Sequence, residues 1–321
     1  MLKKPNCPVI AIEEHYWDAE LAKTFVGPEA GKGGEIDTRL YDLGALRIKE
    51  MDEAGIDIQV LSHGAPSTQK LGPDVAVDVT RKVNDRLHAA VKAHPTRFAA
   101  FSALPTAVPE AAADELQRTT ELGFKGTMLH GLANGEFLDH KKFWPIFARA
   151  EKLDVPIYLH PGLPHQGVMD AYYKEYTKDF PMVVRAAWGY TVETATLAIR
   201  LVLSGVFDRH PNLKIILGHL GETLPFLVWR VDNALARPGS ARALSFRDVF
   251  CKNFYITTSG NFSDPALICS MMEMGADHIL FAVDYPFVMN SPATEWMQHL
   301  SISAEDKAKI LSGNAQRLLH M

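Results

Sequence analysis

Cysteine is scarce in this chain: Cys7, Cys251 and Cys269 are scattered among 321 residues and form no C-x-x-C pair. Neither a disulfide framework nor a zinc knuckle is therefore indicated, and the thiols read as buried or inert groups of a reducing compartment. Long apolar runs are missing too. Arg200 interrupts the longest one, short of the ~20 residues a membrane-spanning helix needs. Lys3 and Lys4 open the chain, but the apolar run behind them breaks at Glu13 before a secretory core and cleavage site are complete, so the expected location is the cytoplasm. Positive charge is not in excess. With 33 basic and 38 acidic side chains the formal charge is -5, which argues against nucleic acid or an anionic membrane as partner. No Pro/Ser-rich linker or compositional shift divides the chain, so one domain over 1–321 is expected.

What is present is a large supply of core-forming residues, 47% hydrophobic against 22% charged. Short apolar runs alternate with amphipathic segments from end to end. Strands are expected at 9–15, 57–62, 98–104, 126–130, 156–160, 214–219, 254–260 and 279–284, nearly continuous in apolar character, as strands covered on both faces should be. Helices are expected at 46–54, 74–93, 109–121, 142–152, 192–207, 224–236, 264–274 and 304–319, with Gly and Pro at most junctions and Ser303 as an N-cap for the last. Eight strands, each followed by a helix, close most simply into a (β/α)8 TIM barrel. Two connections are long, 16–41 after strand one and 162–190 after strand five. Such loops lie on the catalytic face of a barrel, which makes both candidate substrate walls.

The chemistry-bearing residues sit where strands end. V-I-A-I-E-E-H runs an apolar strand into Glu13 and His15, which alternation puts on one face, with Glu14 on the other. Taken alone, such a strand end reads more readily as solvated charge. The other strand ends change that reading, because His160, His219 and Asp284 each close an apolar run in the same way. Mixed carboxylate and imidazole donors without thiolates suit one borderline divalent ion, Zn²⁺ or Mn²⁺.

Several motifs together resemble the amidohydrolase superfamily. They are the initial E-E-H, Y-L-H-P (158–161), H-P-N-L-K-I-I-L-G-H-L-G-E (210–222), F-Y-I-T-T-S-G-N-F (254–262), A-D-H-I-L-F-A-V-D-Y-P-F (276–287) and G-N-A-Q-R-L-L (313–319). More narrowly the chain resembles the branch of γ-resorcylate, 2,3-dihydroxybenzoate and 5-carboxyvanillate decarboxylases. The resemblance implies one metal ion held by Glu13, His15, His160 and Asp284, with His219 and Glu222 as a polar pair beside it. No lysine suited to carboxylation stands in strand four, which favours one metal over two.

The same resemblance implies a metal-dependent, non-oxidative decarboxylase of a small aromatic carboxylate with an ortho hydroxyl. Asp284 would be the proton donor, raised in pKa, with His219 and Glu222 assisting. It also implies a homodimer or homotetramer in which Arg230 reaches a neighbouring subunit's pocket. Phe287 and Trp188 are candidate walls for a planar ring, though aromatics at such positions also serve as core. His130, at the end of strand four, is a lesser candidate for substrate contact; Arg39, His63 and Glu14 read more readily as structural. The sequence departs from the branch at 131–141, at P-G-L-P-H (161–165) and at D-Y-P-F, where some members have D-W-P-F. An alternative enzyme reading keeps the metal and uses Asp284 as general base, giving a hydrolase or hydratase of a lactone, amide or unsaturated acid.

Overall fold

The computed structural model describes residues 5–31, 33–239 and 244–321; Lys3 and Lys4 lie outside them. Eight parallel strands follow one another around a barrel: β1 (Ile10–Tyr16), β2 (Ile58–His63), β3 (Phe98–Ala100), β4 (Thr127–His130), β5 (Ile157–His160), β6 (Ile215–Leu217), β7 (Phe254–Thr257) and β8 (Ile279–Leu280). Regular pairing covers β1 to β3 and β4 to β8. The two arcs join through the Ser102–Thr127 bridge on one side and the Glu14–Tyr285 bridge on the other. Backbone bonds from Asp284 N–H to Glu13 C=O (3.0 Å) and from His15 N–H to Tyr285 C=O (2.7 Å) complete the closure. The expected TIM barrel is therefore the fold, with shorter strands at its last positions than the apolar runs suggested.

Inside the barrel Ile10, Ile12, Val60, Ala99, Phe101, Met128, Tyr158, Ile216, Leu280 and Ala282 form one apolar cluster. Between strands and helices lies a larger layer that includes Val9, Ala11, Tyr16, Leu61, Leu129, Leu159 and Leu217. Alternation along each strand sorts residues between the two layers. Strand β1 contains one irregularity. Its pairing with β2 runs Ala11 to Gln59 and then Glu14 to Leu61, so β1 carries one extra residue at that point. The bulge shifts the phase. Without it, the alternation that turns Ile10 and Ile12 inward would aim Glu13 and His15 at the helices; with it, both enter the barrel mouth.

The helices Ala45–Ala54, Pro73–Ala93, Pro109–Glu121 and Asp264–Met274 match expectation within a residue. The expected helix at 142–152 is a short 3₁₀ turn leading into Trp144–Leu153, and the one at 192–207 runs Gly189–Ser204 before Gly205, at φ 85°, breaks it. Ser303 caps the last segment as expected, its Oγ accepting from Asp306 N–H at 3.0 Å, but a π turn at Lys309–Gly313 divides that helix. Several helices had no clear signal in the sequence: Ala19–Ala22 and Glu35–Tyr41, inside the stretch expected as a loop, and Phe246–Asn253 and Asn290–His299. All are short, and tertiary packing rather than propensity sustains helices of such length. Among the described residues no helix is long and apolar enough to cross a membrane.

Candidate metal centre and active site

Four of the strand-end side chains converge. Glu13, His15, His160 and Asp284 each offer a donor atom, and the four atoms lie within 4.8 Å of one another. All three neighbouring imidazoles have their outer nitrogen occupied. His15 Nδ1 meets Ser62 Oγ at 3.2 Å, His160 Nδ1 meets Pro161 C=O at 2.8 Å, and His219 Nδ1 meets Glu222 Oε1 at 2.7 Å. Each ring consequently turns Nε2 toward the carboxylates: 3.3 Å from His15 to Asp284 Oδ1, 3.3 Å from His160 to Glu13 Oε1, and 3.8 Å from His219 to Glu13 Oε1. Fixing one nitrogen so that the other is presented is how metal-ligating histidines are held.

Whether the set fits a cation can be judged from its unmet needs. Glu13 Oε1, His15 Nε2 and Asp284 Oδ1 are buried and have no hydrogen-bond partner among the described residues, although buried polar atoms nearly always have one. The electrostatics agree. Burial pushes the Glu13 carboxyl up, yet the charge on His219 and the imidazoles of His15 and His160 that face it outweigh burial and hold the group well below the usual carboxylate range. For His15 burial acts downward, but Asp284 and Glu13 raise it to about 9. Two carboxylates sunk in a barrel mouth thus hold protons on imidazoles to balance their charge. A divalent ion supplies the same charge to the same atoms, and the group is suited to one such ion.

Asp284 departs from expectation in one respect. Burial raises its carboxyl, but the imidazoles of His15 and His219 that face it prevail, so its pKa is lowered rather than raised in this arrangement. The charged imidazoles are the cause.

The support around Glu13 was not legible as a motif. Tyr158, two residues before His160 on the same face of β5, donates its hydroxyl to Glu13 Oε2 and lies 2.9 Å from Thr257 Oγ1. Thr257 in turn meets Ser259 Oγ at 2.9 Å, and Ser259 Oγ accepts from His219 N–H at 3.0 Å. Period-two spacing back from His160 was the available signal for Tyr158. Gly218 is required beside this group, because a Cβ there would stand 2.9 Å from Glu13 Oε2 and 3.3 Å from Tyr158 Oη. Tyr158→Phe is expected to weaken divalent-metal affinity by about tenfold, since Glu13 Oε2 loses one of its two donors and keeps only Thr257 Oγ1 at 3.3 Å. Metal titration by calorimetry checks this, and unchanged affinity would leave Tyr158 a packing residue only.

After β6 the backbone takes a left-handed path, with positive φ at His219 (52°), Leu220 (55°), Gly221 (80°), Glu222 (52°) and Thr223 (66°). Non-glycine residues adopt this region at a cost, and such runs persist where surrounding structure fixes them. Here the path folds Glu222 back under the His219 ring. Glu222 is buried against that imidazole, ahead of the helix Leu224–Leu235 rather than within its first turn. Asp284 is also at positive φ, 75°.

The candidate substrate residues separate. Phe287 is half exposed with its ring 5.7 Å from that of His15, so it borders the metal group. Trp188 sits exposed ahead of the helix Gly189–Ser204 and does not line the main cavity. Arg230 is exposed on the helix Leu224–Leu235, as are Phe226 and Trp229. The cavity, about 800 Å³, lies between the two long loops, which contribute Val26 and Glu29 from the first and Leu163, Met169 and Arg185 from the second. His130 joins cavity to metal group: it lines the former, and its ring is 4.8 Å from that of His160.

The remaining candidates are structural. Arg39 pairs with Glu50 and Glu35, both at 3.0 Å. Glu14, on the opposite face of β1 from Glu13, accepts from Val283 N–H at 3.0 Å and from Gln59 at 3.3 Å; burial pushes its carboxyl up to about 8. His63 accepts from Asp18 N–H at 2.9 Å and donates to Gly64 C=O at 2.8 Å, which fixes it as a neutral ring. Burial lowers its pKa from 6.5 to about 4, against the smaller upward pull of Gly64 and Asp18. Because the unfolded chain takes the proton first, this contribution is complete above pH 6.5 and is lost as pH falls toward about 4. Between pH 7 and pH 5 the loss is about 2 kcal/mol. His63→Asn is expected to flatten the pH dependence of urea stability, measured with chelator present, by that amount; an unchanged slope would remove His63 as the cause.

Comparisons with known proteins bear on the family and the fold. The sequence profile of the amidohydrolase family matches residues 11–321. A γ-resorcylate decarboxylase from a Rhizobium species is 40% identical, over 97% of this chain and 98% of its own length. The crystal structure of a dihydroxybenzoic acid decarboxylase from a Polaromonas species, with bound manganese and the inhibitor 2-nitroresorcinol, is 39% identical with a TM-score of 0.89, covering 98% of this chain and 97% of that one. The 5-carboxyvanillate decarboxylase of Sphingomonas paucimobilis is 32% identical with a TM-score of 0.91, over 98% of this chain and all of its own. With the profile matching residues 11–321, nearly the whole barrel, the chain belongs to the amidohydrolase family.

Proposed function

We propose that the chain is a metal-dependent, non-oxidative decarboxylase of a benzoate bearing an ortho hydroxyl, a carbon–carbon lyase built as one barrel domain over 1–321. The observation that carries the reading is the buried Glu13, His15, His160 and Asp284 group in a chain about 40% identical to a γ-resorcylate decarboxylase throughout. These four residues would hold one Mn²⁺ or Zn²⁺. When bound, the ion supplies a Lewis acid and a template for the adjacent hydroxyl and carboxyl oxygens of the substrate.

The protein's own residues then manage one proton. Loss of CO2 from an aromatic ring leaves an electron pair with no acceptor until the ring carbon is protonated. Asp284, at the mouth of the barrel, delivers its proton to the carboxylated carbon. The bond to the carboxyl group then breaks, its electron pair restores the aromatic ring, and CO2 departs. The balance is one proton consumed for each CO2 released. His219 can replace the proton: its Nε2 lies 3.9 Å from Asp284 Oδ2, and although burial acts downward on this imidazole, Glu222 and Glu13 hold its pKa well above the ordinary value. Glu222 keeps the ring oriented through Nδ1. The arrival of an anionic substrate raises the proton affinity of Asp284, which brings a carboxyl lowered in the free site toward the acid form.

Phe287 walls the substrate ring, with Trp188 farther out. Arg230, exposed with Phe226 and Trp229 on one helix, belongs to a homodimer or homotetramer interface and reaches the pocket of a neighbouring subunit, and the enzyme works in the cytoplasm. The test is CO2 release from Mn²⁺- or Zn²⁺-loaded protein over salicylate, 2,3- and 2,6-dihydroxybenzoate and 5-carboxyvanillate. Release from one of them is expected. Silence across the panel with metal bound would end the decarboxylase reading in favour of hydrolysis or hydration on the same site.

A further inference from the structure

Two buried polar side chains in the cavity bond to none of the described residues. Gln69 and His130 are 2% and 3% exposed, and both line the cavity between the long loops. The amide Nε2 and Oε1 of Gln69, and both ring nitrogens of His130, lack any hydrogen-bond partner among the described residues. Four such atoms around one cavity form an unusual concentration, because native proteins satisfy nearly all buried polar groups.

Their backbone is nonetheless well held. Gln69 C=O accepts from Asn134 N–H at 3.2 Å, and Asn134 Nδ2 donates to Leu71 C=O at 3.2 Å. The loop after β2 is thereby tied to the loop after β4, and His130 stands at the end of β4 itself. The His130 ring centroid is 4.8 Å from that of His160 and 6.5 Å from that of His15, so the residue adjoins the metal group. His219 and Asp284 approach that group from the β6–β8 side of the barrel mouth, whereas Gln69 and His130 approach from the β2–β4 side.

We infer that Gln69 and His130 form a recognition pair for a second hydroxyl on the substrate ring, across the ring from the groups that handle the proton. This rests on the aromatic-acid reading above and specifies its substrate class. The chemistry of the pair selects the substituent. A primary amide both donates and accepts, and so does a neutral imidazole. A hydroxyl answers both, whereas a carboxylate accepts only and a methoxy group cannot donate. A site whose polar groups are left unmatched rejects the analogue that lacks the substituent.

Binding measured by calorimetry on the Mn²⁺-loaded protein tests this without requiring turnover. 2-Nitroresorcinol, an inhibitor of the Polaromonas relative, carries one hydroxyl more than 2-nitrophenol, and 3-methoxy-2-nitrophenol masks that hydroxyl. Wild type is expected to prefer 2-nitroresorcinol over both by at least about tenfold. Gln69→Met, close in shape, and His130→Leu are expected to lose most of that preference while binding 2-nitrophenol and Mn²⁺ as wild type does. Equal wild-type affinity for the hydroxy and methoxy ligands, a measurement needing no variant, would overturn the proposal. So would full preference retained in both variants. Absence of CO2 release from 2,6-dihydroxybenzoate, with the binding preference intact, would instead count against the decarboxylase reading alone.

Discussion

Asp284→Asn is expected to lower kcat by at least about a thousandfold, the scale at which a positioned general acid contributes. The amide keeps an oxygen for the metal group but cannot carry a transferable proton at that position. Asp284 follows β8 in the connection that closes the barrel, with its backbone fixed to Glu13 C=O at 3.0 Å and its carboxylate 3.3 Å from His15 Nε2. The substitution should therefore leave the barrel intact, retain part of the Mn²⁺ content, and preserve binding of 2-nitroresorcinol within about tenfold. Single-turnover CO2 release against metal content separates the two roles. Near-normal turnover in a metal-loaded variant would remove Asp284 as proton donor, whereas lost turnover that tracks lost metal would leave it a ligand only.

His160→Ala should act on the metal rather than on the proton. Its Nε2 faces Glu13 Oε1 at 3.3 Å, while Pro161 C=O holds the other ring nitrogen. Losing one of four donors is expected to weaken divalent-ion affinity by about a hundredfold, with unfolding in chelator close to that of wild type. Full metal occupancy in the purified variant would strike His160 from the donor set. The pH dependence has a defined sign. His15, raised to about 9 by Asp284 and Glu13 against its burial, must release its proton before Nε2 can bind a cation. Metal affinity should accordingly rise with pH from 7 to about 9, with release of close to one proton per ion, and an affinity flat over that range would place the proton elsewhere.

Much of the architecture could be read along the chain because barrel strands are covered on both faces. Ile157–His160 and Ile215–Leu217 stand out as apolar runs, and their ends mark the catalytic rim without reference to neighbours. The helices Pro109–Glu121 and Asp264–Met274 were equally plain. Short helices such as Phe246–Asn253, whose Ser245 cap is the main local cue, depend on contacts made elsewhere in the chain.

The sequence by itself determined the eightfold alternation and placed Glu13, His15, His160, His219 and Asp284 at strand ends, since hydrophobic period and chain order are one-dimensional properties. Tertiary structure alone decided how they meet. The bulge in β1 sets which face Glu13 and His15 occupy, and the left-handed run after Gly218 turns Glu222 beneath His219. Tyr158 meets Glu13 from 145 positions away along the chain. Gln69, unremarkable along the sequence, and His130, only a lesser candidate there, acquire a shared meaning in a closed barrel that buries both beside one cavity and leaves their polar atoms unmatched among the described residues. Burial turns an ordinary amide and imidazole into a demand for a partner, and it exists only after the chain has closed.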